Sequence, residues 1–77
     1  MNKARRKSIQ EVADQIEDAR CALEGLLEEE ESYRDNIPEN LQGSARYEAA
    51  DDACDTLGDA VRDLEDIITG LNELAEG

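Results

Sequence analysis

Apolar residues return along this chain at alternating intervals of three and four. Ile9, Val12, Ile16, Ala19, Leu23, Leu26, Glu30 and Tyr33 follow the a/d spacing of a heptad seam. Tyr47, Ala50, Cys54, Leu57, Val61, Leu64, Ile68, Leu71 and Ala75 repeat it. Ala13 and Leu27 widen the first stripe on its e side, and Ala53, Ala60, Ile67 and Leu74 widen the second on its g side. The pattern predicts two amphipathic helices, one over residues 8–34 and one over 44–75. At 1.5 Å per residue these are rods of roughly 40 to 48 Å.

The break between them lies at residues 35–43. Pro38 pushes Ile37 toward extended geometry, so the first helix is expected to end before it. "PENLQG" suits a single helical turn, with Pro at its first position and Gly43 at its end. Ser44 is then the N-cap candidate of the second helix. At the other end, "SIQE" reads as a capping box, with Ser8 as N-cap and Glu11 reaching back. Residues 1–7 carry four cations, which oppose the helix macrodipole, and are expected to form a flexible basic arm. A short connection between two long helices gives an all-α antiparallel hairpin. Each stripe is wider than a two-stranded seam requires, so pairing of two hairpins into a four-helix bundle, a homodimer, is expected. The alternative is that the spare apolar edge meets a different protein.

Composition supports this expectation. The chain has 77 residues without Trp, Phe or His, so its core is aliphatic and small. Roughly 25 cal/mol per Å² of buried apolar area, set against roughly 1.5 kcal/mol per ordered residue, comes out near zero at this size. A partner or a second copy is expected to complete the fold. Gly25, Gly58 and Gly70 interrupt the helices at a cost of about 1 kcal/mol each.

Charge adds a direction. The formal charge is −13, with Lys3, Arg5, Arg6 and Lys7 as half of all basic residues. From Ser8 onward 21 carboxylates face only Arg20, Arg34, Arg46 and Arg62, a balance of −17. Such a body repels nucleic acid and anionic membranes, so neither is expected as a direct partner, whereas a basic protein surface attracts it. "MNKARRK" begins like a secretory leader, but no apolar core follows it and no stretch approaches transmembrane length, which points to the cytoplasm. Cys21 and Cys54 are then reduced thiols. Without His they make neither a zinc site nor a disulfide framework.

Enzyme templates are unmatched: no nucleophile has a base, and there is no phosphate loop or metal-ligand spacing. No catalytic residue, cofactor or metal is expected. "EEEE" at 28–31 lacks the glycine turn of a calcium loop and reads as a solvated face. Glu30 falls on the seam, where Arg34 four residues on, or Arg46 from the second helix, is expected to pair with it.

Two sets of residues remain as candidate binding surfaces. The first is an acidic face on the second helix: Asp51, Asp52, Asp55, Asp59, Asp63, Asp66 and Glu73. It fits a solubilising surface, or a mimic of the phosphate array that occupies the groove of a basic nucleic-acid-binding protein. The second gathers at the loop end: Tyr33, Arg34, Arg46 and Tyr47. Tyr and Arg are common hot-spot residues. Because both rings fall on seam positions, a seal closing the end of the bundle accounts for them as well.

The run "YRDNIPENLQGSARYEAADDACDTLGDAVRDLEDI", residues 33–67, resembles small acidic helical proteins encoded by phages and other mobile elements of Firmicutes. In that group a D-N-x-P-E-N-L-Q-x-S turn precedes an Ala- and acid-rich amphipathic helix. The resemblance covers about half of the chain, and "PENLQGS" is its specific part. It implies an accessory protein of a bacterial cytoplasm acting on host or defence machinery, and it implies no catalytic or ligand residue. "NKARRK" lies outside it.

Overall fold

A computed structural model describes residues 1–77 as two helices and the turn between them. Helix α1 spans Lys3–Asp35 and helix α2 spans Ala45–Glu76, with a 3-10 turn at Glu39–Leu41. They pack as the antiparallel hairpin that the heptads predict. No helix is long and apolar enough to cross a membrane.

The turn follows local chemistry. Asn36 caps α1, its N–H donating to the Ser32 carbonyl, and the Ile37 N–H donates to that of Arg34. Pro38 sits in extended geometry at φ −54°, ψ 143°, and its carbonyl accepts from the Leu41 N–H at 2.8 Å. Ser44 then caps α2 as expected, its Oγ accepting from the Tyr47 N–H at 3.3 Å. Ile37 closes the loop end, buried to 3 % exposure.

The start of α1 differs from the expected basic arm. Residues 3–7 are helical, and Asn2 is the N-cap, its Oδ1 accepting from the Arg5 N–H at 2.7 Å. Ser8 caps nothing; its hydroxyl donates to the Ala4 carbonyl one turn back. The cost of cations near a helix start is at most about 1 kcal/mol each at an exposed site. Extension makes α1 as long as α2 and lets Arg6 pack beside Gly77 at the hairpin's open end.

The outline is a rod with principal extents of 59 × 14 × 13 Å. Its Cα radius of gyration is 17.4 Å, against about 11.5 Å for a compact chain of this length. Two straight parallel helices would be only about 5 Å thick across the pair, the diameter of the Cα cylinder. The near-equal lateral extents, with contacts kept from Gln10–Asn72 to Arg34–Asp51, fit helices that wind around each other. A left-handed winding is what the heptad spacing demands.

The core is thin. Ala13, Ile37, Ala50, Cys54 and Val61 are the only buried residues, and no large side chain is fully enclosed. Burial pushes the Cys54 thiol pKa up, against the pull of Arg34, so it sits in the seam as a neutral apolar group. Total accessible area is 5424 Å², about 800 Å² more than the roughly 4,650 Å² of a compact monomer of this mass. The hairpin has the surface of something only half packed.

Candidate protein-interaction interface

The seam in α2 is the expected one: every residue of the series from Tyr47 to Ala75 is buried or half-buried. In α1 it is rotated. Ile9, Ile16, Leu23 and Glu30 are half-buried as expected, but Val12, Ala19, Leu26 and Tyr33 are exposed. Their place is taken by the row Arg6, Ala13, Arg20, Leu27 and Arg34, all buried or half-buried. The contact line therefore uses the a and e positions of α1, and its d positions turn outward.

This rotation divides the hairpin into two unlike flanks. On one side Gln10 donates to Asn72 at 3.1 Å, and Arg34 reaches Asp51 at 3.0 Å and Asp35 at 3.1 Å. Between them Arg20 pairs with Glu17 and Glu24 on its own helix and approaches Glu65 on the other at 3.6 Å. Arg20 holds the Glu17 carboxyl below its ordinary pKa, chiefly by a direct hydrogen bond. Arg6, Arg20 and Arg34 recur every fourteen residues, as do Asp51 and Glu65. Two of the arginines thus meet their carboxylates at one register, while Arg6 packs beside Gly77 with its Nε unpartnered. The fourteen-residue spacing is the sequence signal of this row, and the more apolar d row of α1 masks it.

The opposite flank carries the d row of α1: Arg5, Val12, Ala19, Leu26 and Tyr33. Beside it runs the g row of α2: Arg46, Ala53, Ala60, Ile67 and Leu74. Arg46 lies over the Tyr33 ring at 5.6 Å, which places both rows on the same side. In an antiparallel pair, equivalent rotations of the two helices lead to the same side, so the rest of each row follows. Val12, Leu26, Tyr33, Ile67 and Leu74 are 41 to 51 % exposed, and they are all the large hydrophobic residues exposed within the helices. The rows outside them are Ser8, Gln15, Ala22 and Glu29 on α1, and Ala49, Thr56, Asp63 and Gly70 on α2.

Only Arg5, Glu29, Arg46 and Asp63 are charged among these positions, and they sum to zero. The whole chain has a charge of −13. A charge-poor apolar strip on so acidic a body is the depletion that marks the core of a protein interface.

The candidate residues of the sequence reading are distributed between three places. Asp52, Asp55, Asp59, Asp63, Asp66 and Glu73 are exposed along the outer side of α2. Arg62, itself exposed, approaches Asp59 at 3.6 Å. Asp51 leaves this group, because Arg34 engages it across the hairpin. At the loop end, the pairing expected between Glu30 and Arg34 is not formed: Arg34 turns to Asp35 and Asp51, and Arg46 to Tyr33. The two tyrosines do not seal the end together. Tyr47 is half-buried, Tyr33 is 41 % exposed on the apolar flank, and Ile37 is the plug.

No group of three His, Cys, Asp or Glu side chains is arranged to hold a metal ion. Compared with known protein families, curated proteins and solved structures, the chain matches none.

Proposed function

We propose that this protein is a non-enzymatic protein-binding module that acts by burying the Val12–Tyr33 and Ala53–Leu74 flank against another protein surface. The observation that carries this reading is the sorting of every large exposed helical hydrophobe onto one flank with no net charge. A chain that only needed solubility would scatter these residues singly. In the setting implied by the "PENLQGS" resemblance, the module is an accessory protein of a mobile element in a bacterial cytoplasm.

A second reading rests on the outer side of α2. Asp52, Asp55, Asp59, Asp63 and Asp66 place a carboxylate about every 5 Å along the helix, beside an axial spacing of about 3.4 Å for phosphates on one DNA strand. This row suits the basic groove of a nucleic-acid-binding protein, held by charge. Apolar and electrostatic contacts part company in salt, since the Debye length falls from about 10 Å at 0.1 M to 3 Å at 1 M.

Site-specific photo-crosslinking distinguishes the two. A crosslinker at Leu26 or Ile67 is expected to capture protein at both low and high salt, and one at Asp59 or Asp66 to capture little. Adducts formed only from Asp59 and Asp66, and lost in salt, would replace the first reading with the second.

A further inference from the structure

Resting on the proposal that the apolar flank is an interface, we infer that its occupant is a second copy of this chain, packed flank to flank and reversed end for end. Three observations lead there. The first is area. The 59 × 14 Å outline presents about 800 Å², which each partner of a standard-size stable interface contributes. The accessible area in excess of a compact monomer is of the same size, so one partner of equal length covers the deficit. The second is shape. The flank rows run from Arg5 to Tyr33 and from Arg46 to Leu74, about 42 Å of helix at 1.5 Å per residue along a 59 Å rod, and a second rod of the same shape is the surface that follows them.

The third is charge along the rod, which sets the direction. The open end, residues 1–10 and 72–77, has four basic and two acidic side chains, a net +2. The loop end, residues 27–58, has ten acidic side chains and two arginines, a net −8. Side by side in the same direction, two copies set acidic loop end on acidic loop end. Reversed about a two-fold axis across the rod, the Arg5 and Lys7 end of each copy lies over the Glu29 and Tyr33 end of the other. Charges that repel in one arrangement attract in the other. The reversed pair also lays α1 on α1 and α2 on α2, each antiparallel, and closes a four-helix bundle with its polar flanks outward.

The test starts from the unaltered chain. Sedimentation equilibrium at micromolar concentration is expected to give a dimer. Direction is read by pulsed electron-spin distances from a nitroxide at Asn36→Cys in a Cys21→Ser, Cys54→Ala background. The reversed dimer places the two labels about 50 Å apart, against less than about 25 Å for copies pointing the same way. Arg5→Glu adds a readout of opposite sign: it weakens the reversed dimer at low salt by at least tenfold, and tightens a dimer of the other direction. A short label distance, or tightening by Arg5→Glu, overturns the reversed arrangement. A folded monomer at high micromolar concentration overturns the second copy as occupant. If the Leu26 and Ile67 crosslinks then still capture another protein, the binding function survives that result; if they capture nothing, it falls too.

Discussion

The two long flanks of the hairpin are made by the same pair of helices in the same register, yet they handle exposure in opposite ways. On the Arg20 flank, five of the eight positions in the rows Gln10, Glu17, Glu24, Glu31 and Asp51, Gly58, Glu65, Asn72 carry charge. Arginines from the contact line reach into them from below. That flank is finished: its long side chains cross the seam and meet partners. On the Leu26 flank nothing crosses except Arg46 over Tyr33, and half of each large apolar side chain remains in water. One flank satisfies its long side chains within the hairpin, and the other leaves apolar side chains without a partner. Ion pairs to carboxylates as exposed as Glu24 and Glu65 are screened by water and contribute little to stability. They set register without supplying the stability that the thin core lacks.

The largest expected effect comes from breaking the apolar flank. The double variant Leu26→Glu, Ile67→Glu removes burial worth about 1 kcal/mol per half-exposed side chain in each copy, and adds four charges to the closed interface. It is expected to raise the dimer dissociation constant more than 100-fold by sedimentation. Glu24→Gln on the other flank is expected to leave it within about threefold. Next comes the seam that both flanks share. Ala13 is 1 % exposed where the helices come together, so Ala13→Leu overpacks that point and should cost about 1–3 kcal/mol in urea denaturation.

A smaller and opposite effect is expected at Gly25. A Cβ there meets nothing within 4 Å, so Gly25→Ala should stabilise the protein by about 0.5–1 kcal/mol without changing its oligomeric state. The smallest effect tests the finished flank. The folded pKa of Glu17 is lowered, first by the hydrogen bond from Arg20. Its contribution is therefore present above the ordinary carboxylate pKa and is lost as the pH falls through the lowered value. The stability difference between the unaltered chain and Glu17→Gln should be positive at neutral pH and vanish in strong acid. A difference that does not change with pH would remove Glu17 from the Arg20 cluster.

How much of this could be read from the residues depends on which force decided each feature. The hairpin itself, the stop before Ile37 and the Ser44 cap follow from periodicity and local backbone chemistry, and the structure has all three. The helix start did not follow, because the local signal at Ser8–Glu11 goes unused and α1 begins two turns earlier, capped by Asn2 through the Arg5 N–H. The choice of flank was the harder matter. In α1 the d row is more apolar than the e row, so a pattern of hydrophobicity places Val12 and Leu26 inside and Arg20 and Arg34 outside. The hairpin does the reverse, since the small Ala13 lets the helices approach, and the arginine stems cover the seam while their charged ends reach carboxylates. The periodicity of α1 describes two contacts at once, one to α2 and one that the hairpin leaves open. The acidic face of α2 was legible as exposed, except Asp51, whose partner lies seventeen residues away in the chain.

Hydroxyl-radical footprinting over a concentration series reads side-chain exposure on both flanks in one sample. Val12, Leu26, Tyr33, Ile67 and Leu74 are expected to become protected together as concentration rises, while Gln10, Glu65 and Asn72 keep a constant rate. Protection confined to the Arg20 flank, or no protection on the Leu26 flank at concentrations where the protein is associated, would contradict the apolar flank as the interface.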